Sequence, residues 1–218
     1  MPPIPSEQQF PDDGPSSQFD RLEQEVHFLS LAWKCHRQLY GAGKETIDLL
    51  NACAPTFFHL TQHSQLAGAV TTICRITDPK KTSGKDNLVL AQLENEPGAR
   101  GLPDAADKMG AELADLKKLS QPLRDRRNQI ISHLDYKQAL GVADEPVPGL
   151  SRQMISDCLE SVWRCMNVYR VALGMPTAAY EHLISRSDGN TLLQSLKQAE
   201  LFKRLRREGL VDRDGNLR

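Results

Sequence analysis

Apolar residues recur at helical spacing along most of the chain. The first run follows alternating steps of three and four residues: Phe19, Leu22, Val26, Leu29 and Trp33. This spacing predicts an amphipathic helix that runs to about Tyr40, where "GAG" interrupts it. The same pattern predicts helices over residues 47–52 and 57–76, and Pro55 between them fits a break or a first-turn position.

The second half of the chain continues in the same way after a polar loop, "TDPKKTSGKDN", and a short predicted helix, "LVLAQLENE". Asp104 favours a helix start, and a helical stripe then extends to about residue 136: Met109, Leu113, Leu116, Leu123, Ile130 and Leu134. Pro122 is expected to kink or interrupt this helix. Ser151 can cap a further helix that ends at Gly174, and shorter helical stretches are predicted near 177–186 and 191–207.

These patterns predict an all-α fold, a helical bundle of about five or more helices. No stretch alternates apolar and polar residues over a length that a strand would need. Residues 1–17 are rich in Pro, Ser, Asp and Gln and are expected to form a disordered tail. We therefore expect the bundle over residues 18–174 and a helical C-terminal extension of unknown role over residues 175–218.

Composition narrows the class of protein. The 218 residues are 39% hydrophobic and carry a formal net charge of −1, which suits one sizeable core and excludes a surface that is basic throughout. The N-terminus has no basic start followed by an apolar run, and no apolar stretch is long enough to span a membrane. The five cysteines form no C-x-x-C pair, so we expect reduced thiols and a cytoplasmic protein with no membrane partner.

One charged residue stands inside the apolar stripe of the second half. In "LRDRRNQIISHLDY", Leu123, Arg127, Ile130 and Leu134 are spaced four, three and four residues apart, so Arg127 occupies a position expected to be apolar. The plain explanation is structural: Arg127 pairs with a carboxylate such as Asp125 or Asp135, or extends to the edge of the core. His133 is then an ordinary surface histidine.

The alternative explanation is an active site. A histidine can move a proton near neutral pH, and an arginine binds phosphate bidentately without losing its charge, which together suit RNA cleavage without a metal. On a regular helix His133 lies nearly above Arg126 but about 120° around from Arg127, so both arginines are candidates.

Three other signals favour ordinary structure. "GAGKET" lacks the first glycine of a phosphate-binding loop and has Glu45 where a hydroxyl must hold magnesium. His59 and His63 lie four residues apart, but no further ligand completes a metal site. "FKRLRREG" has one apolar face and one solvated face. We therefore expect no metal and no cofactor.

Arg127, Asn128, four residues and His133 resemble the Arg/His motif of the HEPN superfamily (higher eukaryotes and prokaryotes nucleotide-binding domains). Three segments, in this order, are similar to its abortive-infection, AbiU-like branch: "LYGAGKETIDLLNACAPTFFHLTQ", "ICRITDPKKTSGKDNLVLAQL" and "LRDRRNQIISHLDY". The resemblance covers about residues 19–137.

The resemblance implies a bundle that forms a homodimer through the motif helix and brings two Arg/His sets into one cleft. It further implies a metal-independent endoribonuclease in phage defence or a toxin–antitoxin system, with RNA as substrate, 2′,3′-cyclic phosphate ends and a possible nucleotidyltransferase antitoxin as partner. Arg127 and His133 would be catalytic, and Arg126 and Asn128 would support them.

Two other functions remain open from the sequence. A non-catalytic HEPN-like dimer would bind nucleotide, RNA or a partner protein through the same cleft. A helical structural subunit would use Arg127 only for an interface ion pair and would need no cleft.

Overall fold

The computed structural model describes residues 18–95, 103–133, 135–143, 145, 147 and 149–212. The predicted tail at residues 1–17 and the stripe residue Leu134 lie outside this part of the chain. Eight α-helices lie within it: α1 (Gln18–Tyr40), α2 (Lys44–Cys53), α3 (Pro55–Ile76), α4 (Pro103–Leu119), α5 (Gln121–Arg126), α6 (Tyr136–Leu140), α7 (Arg152–Ala172) and α8 (Gly189–Arg207). The described strands are two-residue segments, β1 (Lys81–Thr82) and β2 (Lys85–Asp86), paired antiparallel in the polar loop after α3.

Helices α1, α3, α4 and α7 enclose the main core. Helix α1 packs on α3 and α7, α4 packs on α7, and α5 lies against α3 and α4. The stripe predicted for α1 faces inward: Phe19, Leu22, Val26, Leu29 and Trp33 are all buried. The prediction of an all-α bundle with a C-terminal helix is confirmed.

A second, smaller cluster joins α2 and α8 to the C-terminal end of α1. Its buried members are Leu39, Tyr40, Leu50, Phe58 and Leu193. The Tyr40 hydroxyl donates to the Phe58 carbonyl oxygen at 3.0 Å, which ties the end of α1 to the first turn of α3. The extension after residue 174 therefore packs on the bundle through α8.

Several predicted boundaries agree with the structure. Pro55 and Pro122 lie in the first turns of α3 and α5, where a proline replaces an amide that has no intrahelical partner. The Ser151 hydroxyl accepts from the Met154 amide at 3.1 Å and caps α7, which ends just before Gly174 at φ 71°.

The structure differs from two of the predicted helices: one ends earlier than expected, and the other does not form. The helix expected to reach residue 136 ends at Ile131, because the Asp135 carboxylate accepts from the Gln138 amide at 3.0 Å and starts α6 instead. The helix expected over 177–186 is wrong, and a single 3₁₀ turn at Tyr180–His182 takes its place. Asn167 holds this segment non-helical, since its side chain bonds both the amide and the carbonyl of Ala178.

The segment after α7 is anchored by a buried tyrosine. Tyr180 is 1% exposed, and its hydroxyl donates to Glu23 Oε1 at 2.7 Å, where Arg170 also donates at 2.5 Å. Burial, with the Glu23 hydrogen bond and charge, raises the pKa of Tyr180 well above its ordinary value. These hydrogen bonds hold residues 175–182 against α1 and α7.

Within the residues that the structure describes, no helix combines the length and the apolar character needed to cross a membrane.

Candidate functional site

The motif residues lie where α5 changes its helical form. After Arg126 the backbone forms a π-helical turn, Arg127–Ile131, in which the Ser132 amide donates to the Arg127 carbonyl five residues earlier at 2.7 Å. Such turns are uncommon and are frequent at functional sites. The motif therefore begins on an irregular element.

The π-helical turn changes which side chains face the core. Leu123 is fully buried in the main core, and Ile131, rather than the predicted Ile130, packs against that core. Because one extra residue is inserted into the turn, angles from a regular helical wheel no longer relate His133 to Arg126 or Arg127. Leu123 is therefore not available to the dimer contact through the motif helix that the resemblance implies.

Arg127 is held by a carboxylate from outside its own helix. Its Nη1 donates to Oδ2 of Asp78 at 2.9 Å and to Oδ1 at 3.2 Å, and its Nε donates to Asn128 Oδ1 at 3.0 Å. Of its five N–H donors, the two on Nη2 make no hydrogen bond to any described residue. The guanidinium is therefore fixed along two edges and has donors left for an anion.

Asp78 holds a second arginine at the same time. Arg124 Nη1 also donates to Asp78 Oδ1, while Arg124 Nη2 donates to the Thr77 carbonyl at 3.1 Å and to the Thr77 hydroxyl at 3.0 Å. The side chains of Arg124, Arg127 and Asp78 are 18%, 19% and 23% exposed. One carboxylate thus faces two guanidinium groups in a partly desolvated site, which leaves an excess of positive charge.

The arginine pair also influences a buried thiol. Burial raises the pKa of Cys74, and the positive charges of Arg127 and Arg124 act in the opposite direction. Cys74 is fully buried in the main core, so it stays a neutral thiol and takes no part in the surface site.

The other predicted site residues lie nearby but are held less firmly. His133 and Asn128 are exposed, Arg126 is half-buried, and neither Arg126 nor His133 has a hydrogen-bond or ion-pair partner among the described residues. Asn128 contacts Arg127 directly. The catalytic assignment of Arg127 and His133, and the supporting roles of Arg126 and Asn128, stay predictions.

The carboxylate partner of Arg127 was not among those expected. Asp125 accepts from Gln121 at 2.7 Å, and Asp135 caps α6. Asp78 lies two residues after the end of α3 and 49 residues before Arg127, so local helical spacing could not indicate it. The only sequence signal was its place in "ICRITDPKK", a segment that resembles the AbiU-like branch.

The "GAGKET" segment and the His59/His63 pair, which the sequence favoured as ordinary structure, lie at exposed positions. Lys44 of "GAGKET" is exposed and pairs with Asp48 at 2.5 Å. The exposed rings of His59 and His63 lie 4.7 Å apart on α3, and the described residues contain no cluster of three or more metal-binding side chains around them.

The AbiU2 family of HEPN proteins matches residues 16–192. The chain belongs to the AbiU2 family. This AbiU2-family protein is therefore a HEPN-type abortive-infection protein, and the predicted family resemblance is confirmed. The match includes α1 to α7, the Arg/His motif and the start of α8. No curated protein and no solved structure matches the chain.

Proposed function

We propose that this AbiU2-family protein is a metal-independent endoribonuclease that acts as a homodimer, with Arg127 and His133 as the catalytic residues. The observation that carries the proposal is the geometry of Arg127: Asp78 and Asn128 fix its guanidinium, and its Nη2 donors remain available six residues before an exposed histidine. A cation fixed in advance stabilises developing phosphoryl charge at little reorganisation cost.

The proposed chemistry uses the ribose 2′-hydroxyl as nucleophile. One imidazole accepts the 2′-hydroxyl proton as the O2′–P bond forms, and a proton is donated to the 5′-oxygen as the P–O5′ bond breaks. In a dimer, His133 of one copy can accept the first proton, and His133 of the other copy can donate the second. Arg127 would stabilise the charge on the non-bridging oxygens, and the products are a 2′,3′-cyclic phosphate and a 5′-hydroxyl.

Single-turnover cleavage of mixed RNAs, with and without EDTA, tests this proposal. We expect cleavage to persist in EDTA, with every new 3′ end carrying a 2′,3′-cyclic phosphate, because the attacking oxygen is the neighbouring hydroxyl. Activity lost in EDTA and restored by magnesium or zinc, or products with 3′-hydroxyl ends, would contradict the mechanism.

The dimer is proposed to use the surface that follows the motif. Tyr136, Leu140 and Val142 are 76%, 59% and 61% exposed, and they come directly after His133 in the chain. Apolar side chains clustered at one exposed segment are typical of a protein interface. A symmetric contact through them would place two copies of the motif near each other.

Light scattering at micromolar concentration is expected to give twice the mass of one chain. Leu140→Glu is expected to shift the protein toward monomer, because the charge would be desolvated at the contact. Ile184→Glu is the matched control, since Ile184 is 95% exposed on the segment before α8 and is expected to leave the dimer intact. A monomeric parent protein would count against the proposed interface.

The second candidate function is a non-catalytic HEPN-like dimer that binds nucleotide, RNA or a partner protein, such as a nucleotidyltransferase antitoxin in a toxin–antitoxin system. The cluster of Arg124, Arg127 and Asp78 favours it, because an excess of positive charge can bind a phosphate without any catalysis. RNA binding without cleavage by the purified parent protein would support this candidate.

A further inference from the structure

A groove between α1 and α7 lies apart from the motif. Its volume is about 1060 Å³, just above the range typical of small-molecule sites. The motif elements contact α3 and α4, whereas the groove runs between the antiparallel α1 and α7, and no motif residue lines it.

Two reciprocal hydrogen bonds build the floor of this groove. Trp33 Nε1 on α1 donates to Ser156 Oγ on α7 at 3.1 Å, and Trp163 Nε1 on α7 donates to Ser30 Oγ on α1 at 2.8 Å. Both indole donors are thereby satisfied and both rings are fixed. These are the two tryptophans of the chain, and both line the groove, so a ligand bound there is expected to change the tryptophan fluorescence.

One end of the groove carries uncompensated positive charge. Arg152 donates to the Tyr40 carbonyl at 2.6 Å. A side chain on Gly41 would meet the Arg37 carbonyl oxygen at 2.6 Å and Arg152 Nη1 at 3.0 Å, so the glycine leaves room for both. Arg37 is exposed. Among the described residues, neither Arg37 nor Arg152 pairs with a carboxylate.

The remaining cations of the groove are already neutralised. Lys34 Nζ lies 3.0 Å from Asp188 Oδ2. Arg164 Nε lies 2.8 Å from Glu112 Oε2 on α4. Free positive charge is therefore concentrated at the end formed by Arg37 and Arg152.

The far end of the groove is acidic. Glu160 and Glu181 line it, and Glu160 is about 12 Å along α7 from Arg152 at the usual helical rise. A nucleic-acid strand lying along the groove would bring phosphates against these carboxylates. The charge distribution therefore favours a ligand with a single anionic head.

We propose that this groove binds a small molecule whose oxyanion head group, a phosphate or a carboxylate, is held by Arg37 and Arg152. The body of the ligand extends toward Trp33 and Ser156, each one helical turn from an arginine of the pair. The site is distinct from the proposed ribonuclease site and does not depend on it.

Tryptophan fluorescence and calorimetry with three probes test the proposal on the full-length protein. Phenyl phosphate and benzoate carry the two possible head groups, and benzyl alcohol carries the ring without charge. We expect saturable binding of at least one anion in the millimolar range or tighter, and binding of benzyl alcohol at least about tenfold weaker. The tighter of the two anions identifies the head group.

The variants Arg37→Gln and Arg152→Gln are each expected to weaken binding of the preferred anion about tenfold or more. Arg206→Gln is the matched control, because it removes an exposed arginine at the far end of α8. Arg152 also ties α7 to Tyr40 and its loss can affect folding, whereas Arg37 makes no such contact, so Arg37→Gln decides the question if Arg152→Gln unfolds.

Three outcomes would overturn the proposal. They are the lack of saturable binding by either anion, unchanged binding in Arg37→Gln, and displacement of the bound anion by an RNA oligonucleotide. None of these measurements uses RNA cleavage, so failure of the proposed ribonuclease function would leave this result standing.

Discussion

His133→Ala is expected to lower single-turnover RNA cleavage by about 10²-fold or more, because general acid–base catalysis contributes at least that much to such a reaction. The fold is expected to be unchanged, since His133 is exposed and contacts no described residue through a hydrogen bond or ion pair. RNA binding should survive better than turnover, because the imidazole acts mainly in the transition state.

The matched control for this variant is His63→Ala. His63 is another exposed histidine, but it lies in the middle of α3 beside His59, within a helix that the proposed chemistry does not use. Equal loss of cleavage in both variants would indicate a general effect on the protein. If His133→Ala cuts RNA as fast as the parent protein, the motif is structural or binds without catalysis.

Much of the helical architecture could be predicted because it depends on local periodicity. The stripe from Phe19 to Trp33 lies on one face of α1 and is buried, as spacing of three and four residues requires. Proline and capping signals are equally local, and Pro122 and Ser151 both mark helix starts. Such features need no knowledge of the rest of the chain.

The centre of the candidate site could not be predicted in this way. The pairing of Asp78 with Arg127 joins residues 49 positions apart, and it depends on how α5 packs beside the end of α3. The π-helical turn also replaces Ile130 by Ile131 at the core, a change of one residue that an assumed period of 3.6 cannot show. Motif residues were visible in the sequence, but their contacts were not.

Arg127→Ala is expected to lower cleavage by about 10²- to 10³-fold, the loss typical when one donor to a developing oxyanion is removed. RNA affinity should fall as well, because a cation also meets the ground-state phosphate. Arg127→Lys should restore little activity, since an ammonium group cannot reproduce the fixed fork that contacts Asp78 and a phosphate together. Arg126→Ala, assayed beside it, shows whether both arginines serve the cleft.

Arg124 provides a matched control for Arg127, because both guanidinium groups bind Asp78. It binds the same carboxylate with nearly the same exposure, but it also donates to the carbonyl and hydroxyl of Thr77 within the fold. Arg124→Ala and Asp78→Asn are each expected to reduce the free energy of unfolding by ~1–3 kcal/mol, less than for a fully buried ion pair because the cluster is partly exposed. Asp125→Asn, which affects only a contact with Gln121, should change stability little.

The comparison of Arg124 with Arg127 separates a structural cluster from an active site. If the ion pairs serve only stability, both Arg124→Ala and Arg127→Ala should reduce the free energy of unfolding, Arg124→Ala the more because it also loses the Thr77 contacts. Cleavage per folded molecule should then be the same in both variants. If Arg127 directs its Nη2 donors at the scissile phosphate, its loss should reduce cleavage at least about tenfold more than loss of Arg124. Cleavage rates measured well below the melting temperature of each variant, with RNA affinity measured in parallel, decide between the two. Asp78→Asn should then fall between them, because it leaves the Arg127 guanidinium present but no longer fixed by a charged partner.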